Sequence, residues 1–366
     1  MTKPELTKEI AYKALQDFFI NHKPFVLFAT GTSCAVDLDF GMGALEKYLK
    51  DEIPSKILEK QQKLEWENVL AALGRDSDFE GAMNAIKDQV LLKLVIDTTA
   101  AHVAKVNFKN AFGLLTGDIS WPAIPMFKRL VGGLPETDRI LHVATPNYDM
   151  MAEYAFTRAG IPYTTGFWGG VVRKLDWIQA ERQMTYAEKV SSGRSKVTTL
   201  TRFNKHIRLY KVHGSLNTFL FDNQVVETDA WDRMPDGVER LMITPGTSKH
   251  EKLHHFREDL LGEYDKAVGA HNAFLFLGFG FNDTQLVTNA ISEKLKKQSS
   301  SALIITRDSN FRIESLLQES RNTWLICRHE KDDSTRIFNA RYRECLLLPD
   351  TYIWNFNQFT TEIMGG

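Results

Sequence analysis

Cysteine is scarce in this chain: 366 residues carry three, Cys34, Cys327 and Cys345, far apart. No two share CxxC spacing, which argues against a structural zinc ribbon, and an odd, low count builds no disulfide framework. It fits a reducing compartment. Net charge is missing as well. Forty-five Lys and Arg stand against 46 Asp and Glu, a formal charge of -1. No global field therefore draws the protein onto nucleic acid or an anionic membrane, and direct binding of either is not expected. A long apolar run is also lacking. The most apolar stretch, AFLFLGFGF (273–281), falls far short of the ~20 residues that a spanning helix needs. The opening MTKPELTKEIAYKAL is charged and holds no secretory stretch. A soluble, cytoplasmic protein is expected.

Absent motifs narrow the chemistry further. There is no P-loop Gly-Lys-Ser/Thr, and Gly278-x-Gly280 lacks the third glycine of GxGxxG. A nucleoside triphosphatase and an ordinary hydride-transferring dehydrogenase are disfavoured. No G-x-S-x-G elbow supports a hydrolase built on Ser33 or Ser215 with His213. HEKLH (250–254) matches HExxH, but Thr247, Ser248 and Lys249 flank it, Lys252 sits inside it and Pro245-Gly246 precedes it. It reads as a surface coincidence rather than a helix-borne zinc site, so no metal is expected.

What is present is ordinary for a globular protein: 43% apolar, 25% charged and 11% aromatic. That balance excludes a disordered chain. FVLFAT (25–30), RILHVAT (139–145), IRLYKVHG (207–214), NAFLFLGFG (272–280), SALIITR (301–307) and TWLICRH (323–329) read as short buried strands. LNTFLFDNQVVET reads as a hairpin around Asp222-Asn223, and LMITP as another short strand. Amphipathic helices fall between the strands, GTSCAVDLDFGMG reads as a loop, and the tail around YIWNFNQFTTEIM reads as helical. Alternating strands and helices predict an α/β fold: a Rossmann-like parallel sheet with helices on both faces. The expected division is a discontinuous core over 1–50 and 120–330 and a helical insertion over 51–119. A loop or small insertion follows over 165–205, and a carboxy-terminal extension over 331–366.

In such sheets ligands bind beyond the carboxyl ends of the strands. Five strand exits carry small or polar groups: Gly31-Thr32-Ser33, Pro146-Asn147-Tyr148-Asp149, His213-Gly214-Ser215, Gly278 to Asp283, and Arg307-Asp308. Each alone suits a turn; together on one edge they describe a site.

Four of these segments, ATGTS (29–33), TPNYD (145–149), HGS (213–215) and GFGFND (278–283), resemble, in order, the motifs of the bacterial sirtuin-like family, in its NAD-cleaving branch. The resemblance covers roughly residues 23–50 and 120–330. It implies that Asn147 bonds the nicotinamide ribose and the attacking water, and that Asp149 holds the carboxamide or fixes the loop. His213 would contact ribose hydroxyls and serve as general base. Ala29, Gly31, Thr32 and Ser33 would lie at the pyrophosphate, Gly278, Gly280 and Asp283 on the adenosine side, and Thr306 and Arg307 near the adenine. Ala29 and Gly280 depart from the family's usual Gly and Ser, Asp39-Phe40 is a partial echo of its Pro-Asp-Phe-Arg run, and the deacetylases' zinc ribbon is missing. The implied activity is an NAD glycohydrolase that depletes NAD in anti-phage defence, as a homo-oligomer and with a HerA-like ATPase as partner. A protein deacylase and a non-catalytic NAD or ADP-ribose sensor are the alternatives.

Overall fold

The computed structural model describes residues 3–57, 59–73, 82–83, 86–192, 196–231, 235–242, 261–283, 286, 289–297 and 300–365. HEKLH lies outside them. The strands are β1 (Phe25–Phe28), β2 (Ile140–Thr145), β3 (Tyr163–Thr164), β4 (Phe167–Gly169), β5 (Arg173–Leu175), β6 (Thr185–Ser192), β7 (Lys196–Phe203) and β8 (His206–Lys211). They continue with β9 (Gly214–Phe221), β10 (Gln224–Glu227), β11 (Val238–Met242), β12 (Ala273–Leu277), β13 (Ser301–Ile305), β14 (Thr323–Arg328), β15 (Thr335–Phe338) and β16 (Leu346–Leu348).

The helices are α1 (Lys8–Asn21), α2 (Thr30–Cys34), α3 (Met42–Lys56), α4 (Lys60–Leu73), α5 (Gln89–Thr116), α6 (Ile124–Gly132), α7 (Met151–Ala159) and α8 (Trp177–Arg182). Beyond them come α9 over 261–270, α10 (Asn289–Lys296), α11 (Phe311–Glu319) and α12 (Phe356–Ile363).

Nine strands form the central sheet in the order β16-β15-β14-β13-β12-β1-β2-β8-β3. From β14 to β3 all pairings are parallel; β15 and β16 add an antiparallel edge. Strand residues alternate between two cores. Val26, Phe28, Leu275 and Leu277 face α1, α6, α7 and α12. Phe25, Leu27, Phe274 and Phe276 face α9, α10 and α11. Helices thus cover both faces, which is why these strands are continuously apolar. The expected α/β architecture is the one observed.

Local expectations met two differences and, at 165–205, one choice left open between a loop and a small insertion. Residues 30–34 form the short α2 instead of a loop. The 331–366 extension contributes two strands before its helix; their alternation, with Thr335 and Ile337 buried and Arg336 and Phe338 half-buried, is brief and easily passed over. Residues 165–205 hold β4, β5, α8 and the ribbon β6–β7. Among the described residues that ribbon pairs only with itself, and none of its side chains over 185–190 and 197–203 is buried, so no buried face marks it. The hairpin over Asp222-Asn223 is present: β9 pairs antiparallel with β10, and both turn residues adopt positive φ, 49° and 57°.

The helices over 42–116 build an apolar cluster of their own, including Leu49, Ile53, Trp66, Val69, Leu91 and Leu92. The end of α5 leaves that cluster, sending Val106 and Leu114 into the main core, so one long helix joins the two clusters. No helix among the described residues is long and apolar enough to cross a membrane.

Candidate active site at the carboxyl ends of the strands

The chain passes from β1 to β2 on one side and later returns to β12 on the other. This reversal opens a crevice between the β1 and β12 exits, the place where open parallel sheets bind ligands. β13, β12, β1, β2 and β8 are successive parallel neighbours, so the five polar exits share one edge.

The two glycine loops meet backbone to backbone. Gly31 N donates to Gly278 O at 3.1 Å. Gly278 has φ +56°, and a Cβ there would come within 2.7 Å of Gly31 Cα. Side chains are excluded from both positions by contact with main chain. The first loop is held from below by Trp121, whose Nε1 donates to Thr32 O at 3.0 Å. Trp121 itself is packed among Phe28, Phe127 and Phe156.

Behind the TPNYD loop three side chains form a chain. Asn147 Nδ2 donates to Ser33 Oγ (3.0 Å), and Ser33 Oγ donates to Asp149 Oδ2 (2.8 Å). Asp149 Oδ1 accepts from Met151 N at 3.1 Å, tying the carboxylate to the first turn of α7. Asp149 therefore serves both the helix start and Ser33. Burial pushes its carboxyl above the usual carboxylate range, with the Lys211 ammonium and these two bonds opposing. Asn147 Oδ1 is buried and has no hydrogen-bond partner among the described residues.

Across the crevice, His213 Nε2 lies 3.1 Å from Asp283 Oδ2. Gly214 follows at φ +72°, where a Cβ would come within 1.9 Å of Leu241 O. The glycine lets the chain leave β8 and pass directly into β9. Ser215 is buried; its hydroxyl donates to Asn217 Oδ1 at 2.9 Å and lies 3.3 Å from Tyr148 O, which accepts from Leu216 N at 3.0 Å, joining the His213 segment to the TPNYD loop.

Between these groups lies a cavity of about 330 Å³. Asn147, Asp149, His213 and Asp283 line one wall; Phe40, Leu45, Val95 and Val103 line another. The apolar wall comes from α3, α5 and the turn before α3. That turn is fastened to α5: Asp37 accepts from Lys109 (2.8 Å) and Asn110 (2.9 Å), and His102 Nε2 lies 2.9 Å from Asp39 O.

Of the residues singled out from sequence, Ala29, Asn147, Asp149, His213, Gly278, Gly280 and Asp283 face the cavity. Gly31, Thr32 and Ser33 stand behind it. Thr32 Oγ1 donates to Ala29 O, and Ser33, 1% exposed, is taken up by Asn147 and Asp149. Thr306 and Arg307 lie at the β13 exit outside the lining, held to Asp308 by a hydroxyl bond and an ion pair. Thr30, Tyr148 and Asn282 line the cavity and carried no assigned role. Tyr148 packs with Ala100, Leu216 and Met242; its place inside TPNYD was the available signal. In the apolar wall only Phe40 had a signal, the Asp39-Phe40 echo; Leu45, Val95 and Val103 had none, because they come from helices outside the motifs. Among the described residues no group of three His, Cys, Asp or Glu side chains is arranged to hold a metal ion.

A buried acceptor without a donor, beside a His–carboxylate pair and a glycine crevice, suits a ligand that brings hydroxyls. A search of curated proteins finds no match to the chain. The family model of the SIR2-like domain matches residues 141–325, from β2 into β14 and just over half of the chain. SIR2-like domains bind NAD, and the match spans Asn147, Asp149, His213, Gly278, Gly280 and Asp283. The chain belongs to the SIR2-like domain family.

Proposed function

We propose that the protein is an NAD glycohydrolase, cleaving NAD to nicotinamide and ADP-ribose. The observation that carries this reading is the orphaned Asn147 Oδ1, a buried acceptor on a residue that lines the cavity and whose Nδ2 is held by Ser33. An unmet buried acceptor costs about 1–3 kcal/mol, a cost relieved when a ribose hydroxyl or a water donates to it.

Hydrolysis forms a bond from water oxygen to the ribose C1′ and breaks the bond from C1′ to the nicotinamide nitrogen. The leaving group is already cationic in NAD and departs neutral, so the chain needs no strong general acid. Asn147 holds a hydroxyl or the water in line. His213 accepts the proton released from the water, and the Asp283 carboxylate beside it stabilises the imidazolium. Phe40, Leu45, Val95 and Val103 keep the rest of the cavity dry, which strengthens these polar contacts.

The defence role, the homo-oligomer and the HerA-like ATPase rest on the resemblance of the four motifs. The activity is tested by incubating the purified chain with NAD, with and without an acetylated peptide, and measuring nicotinamide and ADP-ribose. Release without peptide supports hydrolysis; release only with peptide makes the protein a deacylase. Saturable NAD binding with no release in either arm makes it a sensor.

A further inference from the structure

Beneath the TPNYD loop lies a lysine that the chemistry above does not use. Lys211 ends β8, in register with Thr145 at the end of β2. By strand alternation it shares the sheet face of Ile207 and Leu209, and it is 7% exposed. Its ammonium donates to Asp149 O at 2.6 Å and pairs with Glu153 Oε1 on α7 at 2.9 Å. Lysine is among the residues least often buried. A buried ion pair can be exchanged for two apolar residues with little loss of stability, so stability alone gives no reason for the bond to the Asp149 carbonyl. That carbonyl belongs to the residue whose carboxylate orients Ser33 and, through it, Asn147. Lys211 also lies two residues before His213 on the same segment.

We propose that Lys211 is a positioning residue: its bond to Asp149 O sets the loop bearing Asn147 against the strand bearing His213, with Glu153 as its counter-ion. The kinetic part of this proposal rests on the glycohydrolase reading; the geometric part does not. A one-ångström displacement of either group degrades an in-line arrangement by roughly 100-fold.

The test uses the full chain carrying Glu153→Leu and Lys211→Met together, which removes both charges and the tie to Asp149 while keeping volume. Asparagine is labelled with nitrogen-15, and the Asn147 side-chain amide is identified by its loss in Asn147→Ala. The expected result is a melting temperature close to the parent's, displaced Asn147 amide resonances, and kcat for NAD lowered about 10- to 100-fold with KM changed less than about threefold. If that pair does not fold, Glu153→Gln with Lys211→Gln, whose shorter side chain falls away from Asp149 O, is read in the same way. An Asn147 amide that stays in place in a folded double variant overturns the proposal, and so does undiminished kcat. If the parent chain itself releases no nicotinamide, the glycohydrolase reading has failed, and the amide position still decides whether Lys211 positions Asn147.

Discussion

Asn147 donates through Nδ2 to Ser33 Oγ at 3.0 Å, and the single Ser33 proton is given to Asp149 Oδ2 at 2.8 Å. The direction of this chain settles the amide's orientation: nitrogen toward Ser33, and Oδ1 left as a buried acceptor without a partner among the described residues. If Asn147 aligns the ribose or the water, a serine in the first glycine loop acts on catalysis through it, although the family resemblance associates that loop with pyrophosphate.

Ser33→Ala removes both bonds. It is expected to lower kcat for NAD about 10- to 100-fold, because the amide can then rotate out of line, and to cost about 1–3 kcal/mol of stability through the unmet Asn147 donor. Steady-state kinetics and denaturant unfolding measure the two effects. Unchanged kcat would show that Ser33 does not orient Asn147.

Asp283→Asn keeps the shape of the carboxylate beside His213 Nε2 but removes its charge. His213→Ala should lower kcat about 100- to 10,000-fold as the loss of a general base, with Asp283→Asn reducing it less. Single-turnover rates give the order, and an Asp283→Asn defect as large as that of His213→Ala would assign the carboxylate a more direct role.

Gly278→Ala places a Cβ at φ +56° within 2.7 Å of Gly31 Cα. The left-handed backbone alone costs about 1–3 kcal/mol, and the collision pushes the two loops apart at the crevice. Thermal melts with and without NAD should show a lower melting temperature and a smaller shift on adding NAD. A full ligand shift would contradict the placement of NAD at this junction.

Acid sensitivity has a separate source in His142 on β2. Its Nδ1 lies 2.8 Å from the Tyr210 hydroxyl, and its ring abuts that of His271 at 5.0 Å. Burial foremost, then the neighbouring His271, lowers its pKa to about 3. In the unfolded chain an imidazole titrates near 6.5, so between these values the unfolded state binds the extra proton. Its contribution to stability is therefore full above about pH 6.5 and falls as the pH drops toward 3. Urea unfolding of the parent and of His142→Gln between about pH 6 and 4 should diverge by up to roughly 1.4 kcal/mol per pH unit, the parent having the steeper slope. Parallel curves would show that other groups carry the acid response.

Much of this arrangement was legible because strands buried on both faces leave continuous apolar runs, and the polar residues after FVLF, HVAT and AFLFL interrupt them sharply. Parallel pairing then forces those interruptions onto one edge. The links among them were not legible. Nothing local in ATGTS says that Ser33 turns inward, and nothing in YKVHG says that Lys211 reaches Asp149 O; both follow from how neighbouring strands are staggered. The apolar wall from α3 and α5 was hidden for a related reason. Leu45, Val95 and Val103 fit a helix's buried stripe equally well whether that stripe meets a core or a cavity. Ribbon β6–β7 and edge strands β15 and β16 were obscured by the lack of a long apolar signature.

The most direct measurement is nicotinamide release from NAD by the parent chain and by Asn147→Ala, without peptide and at matched, saturating NAD. A glycohydrolase that relies on Asn147 releases nicotinamide as the parent chain and loses at least about 100-fold of that rate in the variant, with the variant's fold intact by circular dichroism. Equal release by the two proteins would contradict the role assigned to Asn147.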